Sequence, residues 1–102
     1  MHASIAKHLP EISAICRRYG VRRLELFGSA ARSADFVPGL SDADFLIEFA
    51  PDVSVDLHRF FGFKTDLEQL LSLSVDLVEP AAIRNPYMLA DINRSRQSIY
   101  GS

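Results

Sequence analysis

Residues able to do chemistry are concentrated in two neighbouring stretches of the chain. Leu26-Phe27-Gly28-Ser29-Ala30-Ala31-Arg32 reads as the end of a strand, a tight turn and a short helix. A Gly-Ser turn at a helix N-terminus offers backbone N–H groups and a hydroxyl, the donors a phosphate chain needs. Ser41-Asp42-Ala43-Asp44 follows, ahead of the apolar run Phe45-Leu46-Ile47-Glu48-Phe49. Asp42 and Asp44 are two positions apart, so in an extended segment both carboxylates leave by the same face. Two hard oxygen ligands beside a phosphate cradle point to magnesium and a nucleotide.

The elements that must hold these groups are legible in the hydrophobic pattern. Ile5, Leu9, Ile12, Ile15 and Tyr19 recur at helical steps, the stripe of an amphipathic helix that ends at Gly20. Pro10 either kinks that helix or starts a second one at its first turn. Val21 to Phe27 is predicted to be a strand, and Pro38-Gly39 makes 34–41 a loop. In the strand 44–49, Phe45, Ile47 and Phe49 point to the core while Asp44, Leu46 and Glu48 point away. Helices are therefore expected on one face of the sheet there. A helical stripe runs from Ser54, the expected N-cap, to Leu71, and Val75-Asp76-Leu77-Val78 is a short strand. Asn85-Pro86 reads as an N-cap with proline at the first helical position, leading a helix to about Asn93. Ser98 to Tyr100 is a candidate edge strand.

Composition narrows the function classes. With 102 residues, 48% of them hydrophobic, the chain suits one compact domain, residues 1–102. Thirteen acidic against eleven basic residues leave a formal charge of -2, so no overall field draws it to nucleic acid or anionic lipid. A polynucleotide is not the expected direct partner. No apolar run approaches the ~20 residues that span a bilayer, and Met1-His2-Ala3-Ser4 lacks a signal-peptide pattern. A cytoplasmic protein with no membrane partner is expected. Cys16 lies among apolar positions and reads as a buried thiol. The cluster Arg17, Arg18, Arg22 and Arg23 suits a helix end and a strand edge, the alternative being a contact with substrate or partner. His2, His8 and His58 share no ligand spacing.

The order of the motifs separates rival chemistries. Haloacid-dehalogenase-like phosphatases and Asp-x-Asp glycosyltransferases carry their acids after an apolar strand, whereas here the apolar strand follows the acids. Gly28-Ser29, Ser41-Asp42-Ala43-Asp44 and Asp76 together resemble the minimal nucleotidyltransferases, or MNT domains, of the DNA-polymerase-beta-like superfamily. The resemblance spans Leu24 to Glu79 and extends to the flanking helices. It implies an α/β fold of the polymerase-beta-like type, a small mixed sheet with helices mainly on one face. Two departures lie in the loop: twelve residues separate Ser29 from Asp42, a longer spacer than is common, and Ser33 stands where the family usually has glycine. They bear on substrate preference more than on catalysis.

The resemblance also implies roles. Asp42, Asp44 and Asp76 would be catalytic and hold two magnesium ions, with Asp76 orienting or deprotonating the attacking hydroxyl. Gly28, Ser29, Arg32 and Ser41 would bind the nucleotide, Arg32 being equally readable as a surface residue. The implied reaction moves AMP from ATP to a hydroxyl. Larger relatives carry additional domains for the acceptor, so a partner protein is expected to supply it here. The resemblance to antitoxins of HEPN/MNT pairs makes a tyrosine of a HEPN ribonuclease toxin the leading acceptor. Capping of the toxin without catalysis, or transfer to a small molecule or RNA end, are the alternatives.

Overall fold

The computed structural model describes residues 1–33 and 35–101. Helix α1 (Ala3–Ala6) is capped by the His2 ring, whose Nδ1 accepts from the Ser4 N–H at 3.1 Å. A separate helix α2 (Leu9–Tyr19) then begins with Pro10 in its first turn, where the missing N–H leaves no helical bond unmade. Of the two readings of Pro10, the second is realised. Helix α2 ends at Gly20, in the left-handed conformation at φ 72°.

Strands β1 (Val21–Phe27) and β2 (Ala43–Phe49) pair antiparallel, and the four-residue helix α3 (Ser29–Arg32) follows β1 directly. Helix α4 (Leu57–Leu71) connects β2 to β3 (Val75–Val78), which lies parallel to β2. Helix α5 (Pro86–Ser95) leads into β4 (Gln97–Tyr100), antiparallel to β1 at the sheet edge. The strand order is β3-β2-β1-β4, a mixed sheet. Helix α4 starts later than the sequence suggests. Its N-cap is Asp56, not Ser54, and the Asp56 carboxylate accepts from Arg59 N–H at 2.8 Å. An ionised acceptor adjoining the first turn also complements the helix dipole, which a serine hydroxyl cannot do.

The main core lies between the sheet and helices α2 and α4. Leu24, Leu26, Phe45, Ile47 and Val75 meet Ile12, Ile15 and Cys16 of α2 and Phe63, Leu67 and Leu71 of α4. Phe45 and Phe63 are the largest wholly buried side chains, each contributing about 1.5–3 kcal/mol by leaving water. Burial raises the Cys16 thiol pKa to about 12, so the thiol is inert, as its apolar neighbours suggest.

The opposite face departs from the expected one-sided cover. Phe27, Leu46 and Ile92 form a second buried cluster, with Val78 and Ile83 packed at its margin. Leu46 is the apolar member of an otherwise charged row, and Ile92 of α5 shields it. The rest of that face carries Asp44 and Asp76. Asn85 caps α5 as expected, its side-chain oxygen accepting from the N–H groups of Tyr87 and Met88 at 2.9 and 3.4 Å. Among the described residues, no helix is long and apolar enough to cross a membrane.

Candidate active site

The turn after β1 is built on Gly28. Its φ of 74° with ψ of -154° is a conformation that side chains other than glycine's rarely accept. Space imposes the same choice, since a Cβ at this position would lie 2.8 Å from Oδ2 of Asp44. The Gly28 carbonyl accepts from the N–H groups of Ala31 and Arg32, both at 3.1 Å, which winds α3. The Gly28 N–H itself donates to Oγ of Ser95 at 2.9 Å. The donors available to a phosphate are therefore the Ser29 hydroxyl and the first amides of α3.

Strand pairing brings the acids to this turn. Asp44 stands in register with Phe27 on one side and with Asp76 on the other, so the end of β1 and the two acids form one row across three strands. Asp42 lies one step before β2, outside the strand, and its charge reaches Asp44. The Ala43 N–H donates to the Ser74 carbonyl at 2.9 Å and ties the two acid-bearing segments together. Asp42 and Asp76 are exposed, whereas Asp44 is partly buried against the turn. Burial, then the charges of Asp76 and Asp42, raise the Asp44 pKa to about 6. Asp42 also lines a polar cavity of about 500 Å³ with Ser41, Glu68, Ser72 and Ser74.

These groups suit a hard cation by donor chemistry. All are carboxylate oxygens, and the half-buried Asp44 carries an unfavourable charge that a cation would offset. Among the described residues, no three His, Cys, Asp or Glu side chains are gathered closely enough to ligate an ion. Like-charged carboxylates without a cation between them repel one another.

Two residues assigned to the nucleotide have other attachments. Arg32 is half exposed and pairs loosely with Asp35 at 3.7 Å. The Ser41 hydroxyl accepts from Val37 N–H at 3.1 Å, closing the loop ahead of the acids. Sequence reasoning did not single out Ser95, which carries no motif and lies far along the chain from Gly28. It also gave no role to Glu25, which shares the Asp44 face of the sheet and receives two bonds from Arg96, at 3.1 and 2.6 Å. The Arg96 guanidinium holds the Glu25 carboxyl below its ordinary range. Arg23 pairs with both Glu48 and Glu25, and Arg18 with Asp66, so these two members of the basic cluster serve the fold. His2 is a helix cap and His8 pairs with Glu11.

A mixed sheet with an acid row beside a Gly-Ser turn defines the minimal nucleotidyltransferase class. The chain belongs to the nucleotidyltransferase domain family, whose pattern matches residues 9–99. A Methanocaldococcus jannaschii protein, MJ0128, provisionally named a protein adenylyltransferase, is 39% identical over 75 residues, 74% of this chain and 72% of its own length. A solved structure provisionally described as a minimal nucleotidyltransferase is similar at a TM-score of 0.72 and 26% identity, over 95% of each chain. The fold is also similar to a chain in the complex of tri-AMPylated Shewanella oneidensis HEPN toxin with MNT antitoxin, at a TM-score of 0.64. Identity there is 17%, over 95% of this chain and 72% of that one.

Proposed function

We propose that this domain, residues 1–102, is a magnesium-dependent protein adenylyltransferase acting in the cytoplasm. It transfers AMP from ATP to a tyrosine hydroxyl of a HEPN-type ribonuclease toxin and acts as the antitoxin. The observation that most supports this reading is the register of Asp44 with Asp76, with Asp44 lying against the Gly28 turn. Asp42, Asp44 and Asp76 would hold two magnesium ions. Bound there, magnesium would neutralise the triphosphate and the leaving pyrophosphate. Ser29 and the first amides of α3 grip the outer phosphates, with Gly28 shaping the turn. Arg32 and Ser41 are assigned as further nucleotide contacts by the family resemblance, Arg32 exchanging its pairing with Asp35 and Ser41 its bond with Val37 N–H for the nucleotide. Asp76 orients the acceptor hydroxyl or takes its proton as the oxygen attacks the α-phosphorus and the bond to the β-phosphate breaks.

A protein acceptor is supported by the name of the M. jannaschii relative and by the AMPylated toxin in the S. oneidensis complex. Helix α5 adds a physical argument. Tyr87 is 85% exposed, and Met88 and Leu89 beside it are exposed too, an apolar surface suited to a protein partner. The test is to incubate the chain with ATP, magnesium and a HEPN-type toxin and measure intact mass. A gain of AMP on a toxin tyrosine is expected, with little product from the isolated chain. Asp76→Ala should form the complex and leave the toxin unmodified. Unmodified toxin with its ribonuclease blocked by the wild-type chain would establish capping instead.

A further inference from the structure

We infer that Ser95 is a positioning residue for nucleotide binding, acting through Gly28; this rests on the nucleotide-binding reading of the Gly28 turn. Ser95 is the last residue of α5 and a buried polar side chain, 9% exposed. Its Oγ accepts the Gly28 N–H at 2.9 Å, across 67 positions of sequence. No sequence motif marks a hydroxyl there.

The bond sets the orientation of the peptide unit between Phe27 and Gly28. That unit leads directly into the amides of α3, so its rotation decides where the Ser29 hydroxyl and those amides aim. Glycine at φ 74° has little intrinsic preference for this orientation, and a bond from outside the turn supplies it. Asp44 Oδ2 fills the space beside Gly28, 2.8 Å from where a Cβ would lie, so the same bond bears on the spacing between the turn and that carboxylate. The neighbouring residue braces the anchor: Arg96 leaves α5 and is held by both oxygens of Glu25 on β1. Helix α5 is thus fastened to β1 at two adjacent residues, one of which meets the turn. Without Oγ, a half-buried N–H loses its acceptor and the peptide unit turns to seek another.

The experiment is calorimetric titration of AMP-PNP with magnesium into wild type, Ser95→Ala, Ser95→Thr and Ile92→Val, with amide exchange at Gly28 followed by NMR. In the wild type, the Gly28 amide should be protected from exchange. Ser95→Ala should lose that protection and bind the analogue about ten-fold more weakly. Ser95→Thr, which retains a hydroxyl, should recover most of the affinity. Ile92→Val trims the same helix and should lower the thermal midpoint without changing affinity. In turnover, Ser95→Ala should raise KM for ATP more than it lowers kcat. A rapidly exchanging Gly28 amide in the wild type, or equal affinity in Ser95→Ala, would overturn the assignment of Ser95. No analogue binding by the wild type would instead overturn the nucleotide-binding reading, and this inference with it.

Discussion

The Oδ2 of Asp44 occupies the space that a side chain on Gly28 would need, 2.8 Å from the position of a Cβ. The Gly28 turn and the strand that carries the acid are thereby packed together, and a change to either is felt by the other.

Gly28→Val should abolish nucleotide binding, because it meets Asp44 and places a β-branched residue at φ 74°. Ser29→Ala removes one donor among several and should weaken binding only a few-fold, about 0.5–1.5 kcal/mol. Titration of AMP-PNP with magnesium separates the two, and equal effects would contradict a backbone cradle.

Asp44→Asn should abolish AMP transfer and stabilise the metal-free domain. The folded pKa of Asp44, about 6, lies above its ordinary 3.8, so the acid's favourable contribution is complete below 3.8 and is lost as pH rises through 6. Asparagine stays neutral throughout. The gain in thermal midpoint should therefore be absent near pH 3.5 and full above pH 7, about 1 kcal/mol after allowance for solvent screening. Melting curves in EDTA across this range test the sign, and a gain that does not grow with pH would refute it.

Glu25→Gln should destabilise the domain at neutral pH by about 1 kcal/mol, since it weakens the charge-assisted bonds from Arg96. The Glu25 pKa is depressed from 4.5, so its stabilisation is present above 4.5 and lost as pH falls through the folded value. Urea unfolding should show the gap between wild type and variant closing below pH 4.5. A gap that persists at pH 2.5 would assign the cost to packing.

Ser33→Gly should stabilise the domain by about 0.5–1 kcal/mol. Ser33 ends α3 at φ 67°, a left-handed conformation that is strained for serine and free for glycine. Its N–H bond to the Ser29 carbonyl, 2.8 Å, is unaffected by the change. An unchanged or lowered thermal midpoint would show that the serine side chain earns its place in the loop.

Much of the fold was readable from local pattern. The Ile12 and Ile15 positions of the α2 stripe, the strand Phe45 to Phe49 and the Asn85-Pro86 cap are all set by neighbours within a few residues, so periodicity and capping rules reach them. The motif Gly28-Ser29 with Asp42-Ala43-Asp44 is visible as a local pattern, but the expectation that both acids share a strand face needs both to lie in the strand, and β2 begins at Ala43. Other features were decided by partners distant in sequence. The register of β2 with β3 placed Asp76 opposite Asp44, a relation that the sequence alone suggested only through family resemblance. Cover over Leu46 depended on Ile92 of the distant helix α5 packing against it. The cap of α4 is a local choice between two capping residues, and the Asp56 carboxylate accepts the Arg59 N–H. The Ser95 hydroxyl at Gly28 lay furthest from sequence reasoning, since a lone serine has no periodicity or motif to mark it. Local rules determine which faces and ends a segment presents; the long-range contacts of the folded chain determine which of those faces meet.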